Sequence, residues 1–153
     1  MEATTEAVVV SRARVEDAEA IYAIVQDAFE RYSRMIGQRA KVEALHEQTE
    51  TILRDIRQRG VLIARCGGVP CGSVRYDFSE EGYAYVSRFG VLERYQKCGV
   101  GTALLGAVKR EACAHGVYEL RLHSSASAAS LVHYYESQGF RIRCHELFDE
   151  PFL

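Results

Sequence analysis

At 153 residues, with 48% hydrophobic and 26% charged side chains, the chain has the composition of one globular domain spanning 1–153, not of a disordered segment. A net charge of −2 and a pI of about 6.2 give no basic field to draw in nucleic acid or an anionic membrane, so neither is expected as a partner. No apolar run is long enough for a signal peptide or a membrane span, and the five cysteines (66, 71, 98, 113 and 144) contain no C-x-x-C pair. A cytoplasmic protein with reduced thiols and no metal site is expected.

In chain order, Val8-Val9-Val10 reads as a first strand that leads through Arg12 and Arg14 to Glu16 and Asp17, acids suited to the amino end of a helix. Ile21, Ile24, Val25, Ala28 and Tyr32 recur at helical spacing and predict a helix over about 16–31, with Gly37 closing the region. Val42, Leu45, Thr49, Ile52 and Ile56 predict a second helix that stops at Gly60. Val61 to Ala64 is an apolar strand, Cys66-Gly67-Gly68-Val69-Pro70 a turn, and Cys71 to Phe78 the returning arm of a hairpin. After the turn Ser79-Glu80-Glu81-Gly82, Tyr83 to Leu92 forms a long strand rich in β-branched and aromatic residues. Gly99 to Thr102 opens a helix with the face Leu104, Leu105, Val108 and Ala112, which Gly116 ends. Leu120 and Leu122 mark a short strand, Ser124 to Gln138 a helix terminated by Gly139, and Phe140 to Phe148 a last strand. This order, an antiparallel meander followed by a β-α-β crossover, predicts an α/β fold with a central mixed sheet and helices on both faces.

The most informative segment joins the long strand to the helix that follows: Phe89-Gly90-Val91-Leu92-Glu93-Arg94-Tyr95-Gln96-Lys97-Cys98-Gly99-Val100-Gly101-Thr102. Glycines permit unusual dihedrals here, and the helix start directs unpaired N–H groups and a positive dipole end into the turn. That arrangement either cradles a pyrophosphate or is a plain tight turn into a helix. A Walker loop is excluded because no lysine follows Gly101, and a G-x-G-x-x-G fingerprint because Leu104 replaces the third glycine.

The Q-x-x-G-x-G pattern of Gln96, Gly99 and Gly101 resembles the acetyl-CoA-binding segment of the GNAT superfamily of N-acetyltransferases. Leu131-Val132-His133-Tyr134-Tyr135-Glu136-Ser137-Gln138-Gly139-Phe140 is similar to that family's aromatic-Tyr-Glu-x-x-Gly-Phe segment, and Arg12 to Ile21 to its first strand and helix start. The resemblance covers nearly the whole chain and implies the acyl-CoA N-acyltransferase fold. It implies that Gln96, Lys97, Cys98, Gly99, Val100, Gly101 and Thr102 bind the pyrophosphate of acetyl-CoA. Phe89, Gly90 and Val91 would pair with the pantetheine arm as an added strand. Tyr135 falls at the position of the tyrosine that protonates the departing thiolate, while Tyr134 reads as packing. The acceptor implied is an amine of a small molecule or peptide, and a homodimer is expected by analogy alone.

Several residues depart from the family pattern. Lys97 and Cys98 follow Gln96 where a glycine usually comes next, and Lys97 either pairs with a CoA phosphate or is solvated. Glu93 stands where proline is common, and Ala128 where an asparagine often precedes the tyrosine. Members that use a carboxylate base carry it in the long strand, where Tyr85 and Ser87 stand here; Glu80 and Glu81 read as solvated turn residues. His123, at a strand end, either receives the amine's proton through water or is structural. Arg88, alternating opposite to Ser87, is either paired with an acid or faces the acceptor. The basic set Arg31, Arg34, Arg39 and Lys41 with Tyr32 and Met35 lies on the acceptor side implied by the family, as a carboxylate binder or a solvated cluster. Transfer of acetyl from acetyl-CoA to a primary amine is the leading expectation. A non-catalytic acyl-CoA-binding module of the same fold is the alternative, and an unrelated α/β interaction domain a third.

Overall fold

Five strands lie side by side in chain order: β1 (Val8–Arg12), β2 (Gly60–Cys66), β3 (Val69–Phe78), β4 (Ala84–Val91) and β5 (Leu120–Arg121). The first four pair antiparallel and β5 runs parallel to β4, so the sheet is mixed as its patterning predicts. The computed structural model describes residues 7–145. Helices α1 (Ala18–Ile36) and α2 (Thr49–Gln58) cover one face, where Ile21, Val25, Phe29, Ile52 and Ile63 form a core. Helix α3 (Val100–Ala114) covers the other, packing Leu104, Leu105 and Val108 on Leu62, Val74 and Val86. Helix α4 (Ala129–Ser137) serves both cores, with Leu131 against the first and Tyr134 against the second.

The alternation of β3 sorts the sheet faces. Val74 and Tyr76 point to α3, whereas Ser73 and Arg75 belong to the opposite face. Helix α1 packs closely on β4 because Gly90 has no side chain: a Cβ there would lie 2.8 Å from Cβ of Ala28. Among the described residues no helix is long and apolar enough to cross a membrane, and no group of His, Cys, Asp and Glu is arranged to hold a metal.

Four local readings need correction. The first helix runs to Ile36, since Tyr32, Ser33 and Ile36 are buried, and it ends at Gly37 with φ +68°. The second begins late: 3₁₀ turns at Arg39–Lys41 and Glu43–His46 precede α2, separated from it by extended Glu47 and Gln48. α4 starts at Ala129 rather than Ser124. Ser125 and Ser127 bond one another through their hydroxyls, a local alternative to the helix ladder. No strand occurs over 141–145, where the last one was expected, and 146–148 lie outside the described residues. A two-residue β5 offers little edge for a further strand, and Phe140 instead caps α4, donating its N–H to the Tyr135 carbonyl at 3.0 Å.

Candidate active site

The central feature is a bulge in β4. Ser73 pairs with Gly90 and Arg75 with Ser87, so Arg88 and Phe89 together face the single residue Val74. Arg88 takes φ +50°, a left-handed conformation that non-glycine residues rarely adopt. The extra residue reverses the direction of the backbone. Before it, Ala84 donates its N–H toward β5, to the Glu119 carbonyl at 2.8 Å; after it, Leu92 donates toward β3, to Cys71 at 2.9 Å. By alternation, the polar groups of Phe89 and Val91 therefore face away from β3. β5 has already ended there, since its pairing stops at Tyr85–Arg121. The sheet opens at that point.

The open edge leads into the glycine turn. A 3₁₀ turn at Glu93–Tyr95 is followed by exposed Gln96, Lys97, Cys98 and Gly99, then by α3. Lys97 and Gly99 both have positive φ, +62° and +82°, so the lysine adopts the conformation that a glycine would take with less strain. No side chain caps α3. Its first amide to donate to a backbone carbonyl is that of Ala103, to Gly99 at 3.0 Å, and those of Gly101 and Thr102 do not. A Cβ on Gly99 would meet nothing within 4 Å, so the turn is open on that side. Unpaired amides at a positive dipole end, beside open space, fit a pyrophosphate.

Aromatic rings from α4 pack against Phe89 of the opened end of β4. Phe89 stacks on Tyr134, with centroids 6.1 Å apart, and lies 5.9 Å from the ring of Tyr135. The Tyr134 hydroxyl is buried without a partner and lies over Gly101, 2.5 Å from where a Cβ would stand. Tyr135 is buried, packs edge-on against Phe140, and has its phenol pushed well above the ordinary range by desolvation. With Tyr85 and His123 it lines an open cavity of about 1700 Å³, which the turn at 96–102 does not reach.

On the α1 and α2 face, Tyr85 Oη lies 2.9 Å from Nδ1 of His123. Burial raises the Tyr85 phenol to about 12. Close by, Arg75 donates to both oxygens of Glu47 (2.8 and 2.6 Å) and to Asp55 (2.9 Å), while Arg88 donates to Glu47 at 3.3 Å. The bulge thus turns Arg88 to the same face as Ser87, correcting strict alternation, and Arg88 is paired with an acid. Glu80 and Glu81 are exposed, as expected. Two of the basic residues on α1 and after it are committed to acids, Arg39 to Glu30 and Arg31 to Asp27. Arg31 also donates to the Val91 carbonyl at 2.5 Å, and Asp27 accepts from the Glu93 N–H at 3.2 Å. Sequence reasoning missed this tie between α1 and the end of β4, and also the role of Glu47. The only signal for either was an acid on a helix face or loop.

The model of the Acetyltransferase (GNAT) family matches residues 18–140, from the start of α1 through the glycine turn to Phe140. The chain belongs to the GNAT acetyltransferase family. It is an acyltransferase dependent on acetyl-CoA. Solved GNAT structures share the fold. The PaiA N-acetyltransferase of Thermoplasma acidophilum, in complex with coenzyme A, is 17% identical, with 95% of this chain and 96% of that one covered at a TM-score of 0.83. The ribosomal-protein-S18-alanine N-acetyltransferase of Escherichia coli is 24% identical, covering 88% and 78% at a TM-score of 0.70. The aminoglycoside N-acetyltransferase AAC(6')-Iy, in complex with CoA, is 16% identical, covering 97% of both chains at a TM-score of 0.72. Identities this low speak for the fold alone. No curated protein matches the sequence.

Proposed function

We propose that this GNAT protein transfers the acetyl group of acetyl-CoA to a primary amine of a small molecule or peptide, by direct attack with both substrates bound. The observation that carries the reading is the open edge of β4, which presents the Phe89 and Val91 backbone and leads directly into the uncapped start of α3. Acetyl-CoA supplies the activated acyl group, a thioester carbonyl open to an amine nucleophile. Phe89, Gly90 and Val91 hold the pantetheine arm as an added strand, and Gln96, Lys97, Cys98, Gly99, Val100, Gly101 and Thr102 surround the pyrophosphate. The Val91 N–H also suits negative charge developing on the carbonyl oxygen. Its carbonyl is shared with Arg31, which yields a lone pair or moves aside when the arm binds.

Tyr135 is the proton donor to the leaving thiolate. Desolvation keeps its phenol protonated, which is the form a donor requires. His123 is the destination of the amine's proton. The remaining acceleration comes from holding the two substrates together in the opening, an effect worth up to roughly 7–11 kcal/mol in well-oriented systems.

The alternative, an acyl-CoA-binding module without catalysis, rests on the lack of an available carboxylate: Tyr85 and Ser87 stand where one would be, and Glu47 is held by two arginines. Mass spectrometry of a panel of primary amines incubated with enzyme and acetyl-CoA separates the two. The Escherichia coli neighbour is named for a ribosomal-protein alanine and another for aminoglycosides, so an alanine-initiated peptide and an aminoglycoside belong in the panel with a diamine and a polyamine. An acetylated product establishes transfer; cofactor binding with no product from any amine leaves the binding module.

A further inference from the structure

We propose that Tyr85 and His123 form a proton relay for the attacking amine, in which the Tyr85 hydroxyl takes a proton from the amine nitrogen while passing its own to Nδ1 of His123. This deepens the acetyl-transfer reading and rests on it.

The pair stands where the sheet divides. Tyr85 is the last residue of β4 paired to β5, opposite Arg121, and His123 follows two residues later. Leu120 and Leu122 point into the core beneath α3, so alternation turns Arg121 and His123 to the opposite face, that of Tyr85. Oη and Nδ1 are 2.9 Å apart, and the rings are 5.5 Å apart and inclined at 56°. Both residues line the open cavity with Tyr135, which adjoins the Phe89 ring. A proton acceptor and a proton donor thus line one cavity.

A phenol pushed up to about 12 by burial does not serve as a phenolate base, so Tyr85 takes part as a neutral hydroxyl. The Oη–Nδ1 bond can be donated from either side, and the relay uses the form in which Tyr85 donates to Nδ1 and the imidazole proton sits on Nε2. In the relay one N–H bond of the ammonium breaks and an O–H bond forms on Tyr85. The original Tyr85 O–H breaks as an N–H forms on Nδ1. The phenol ends neutral, the amine ends with a free electron pair, and the imidazole ends as imidazolium. His123 is exposed, so that proton passes to solvent. The charged and titratable groups around Tyr85 are Arg88 of β4, Tyr83 just before that strand and Glu43 of the 3₁₀ turn ahead of α2, with Arg121 of β5 over the Tyr83 ring. Arg88 opposes, and Glu43 and Tyr83 reinforce, retention of the phenol proton.

The test uses Tyr85→Phe, His123→Ala and the double variant, with thiol release from acetyl-CoA measured against each amine of the panel that wild type acetylates. Each single variant is expected to lower kcat by about 10²-fold or more with cofactor affinity unchanged. The double variant should be no slower than the worse single one, because the two act as a unit. Added imidazole should restore His123→Ala, and the acidic limb of the wild-type kcat profile should vanish in that variant. Nitrogen-15 NMR of His123 should show the Nε2–H tautomer in wild type and a changed tautomer balance in Tyr85→Phe. Wild-type kcat in Tyr85→Phe, or additive losses in the double variant, overturns the relay while leaving acetyl transfer intact. Wild-type enzyme that binds acetyl-CoA and acetylates no amine overturns both.

Discussion

Replacing Glu47 by Gln removes one of two negative charges that hold two guanidinium groups out of water. Arg75, Glu47 and Asp55 are only 2%, 7% and 5% exposed, and the Arg88 side chain 10%. Glu47 accepts three bonds in this quartet (2.6, 2.8 and 3.3 Å) while Asp55 accepts one, at 2.9 Å, with Arg59 and Arg54 further off. Without the Glu47 charge, Arg75 keeps the single bond to Asp55, and its Nε is already buried without a partner. Breaking a buried pair from one side costs about 3–5 kcal/mol. For a chain of this size that corresponds to a fall in Tm of about 6–20 °C. Asp55→Asn should cost less, because Glu47 still neutralises Arg75. Arg39→Ala, which removes only an exposed pair with Glu30, should cost under about 1 kcal/mol. Urea denaturation of the three variants measures this ranking. A Glu47→Gln midpoint within 1 kcal/mol of wild type would refute it, and would mean that water reaches the quartet.

Lys97→Gly should stabilise the fold by up to about 1 kcal/mol, since φ +62° strains a lysine by more than glycine's added chain entropy costs; a melting temperature below wild type contradicts this. Tyr135→Phe should lower kcat by at least about tenfold with the dissociation constant for acetyl-CoA unchanged, and unaltered turnover removes the acid role. Stability should be level up to about pH 9 and then fall. Cys71 rises from 9.0 to about 11 and Tyr85 from 10.0 to about 12 on folding, both chiefly by desolvation. The folded state therefore holds protons that the unfolded chain has lost, and this stabilisation disappears as pH climbs through 9–12. Denaturant titrations at pH 8, 10 and 11 follow the loss, and equal stability at all three would refute the assignment.

Strands β1 to β5 and the α3 turn were legible because burial there is dictated by period: β2 carries the unbroken apolar run Val61 to Ala64, and Gly99 sits at the one position where α3 needs a left-handed start. What escaped depends on partners distant in sequence. Arg88 reads as facing away from Ser87 until a bulge, visible only in the register against β3, brings it round to Glu47, 41 residues earlier. Tyr85 was legible only as the residue occupying a carboxylate's place, because its partner is 38 residues away. Val42, Leu45 and Ile52 keep helical spacing and are buried as expected. Extended Glu47, drawn to Arg75 and Arg88, divides that stretch into 3₁₀ turns and α2. Tertiary charge pairing overrode local propensity there.

Whether the opened edge of β4 and the uncapped start of α3 together form an acetyl-CoA site is tested most directly by thermal unfolding with increasing acetyl-CoA, against free CoA and ADP. At about a hundred times the dissociation constant the fold should gain roughly 2.7 kcal/mol, which raises Tm by about 5–11 °C. A rise with acetyl-CoA and CoA that ADP does not reproduce is the predicted result. No rise at millimolar acetyl-CoA would mean that the glycine turn only joins a strand to a helix.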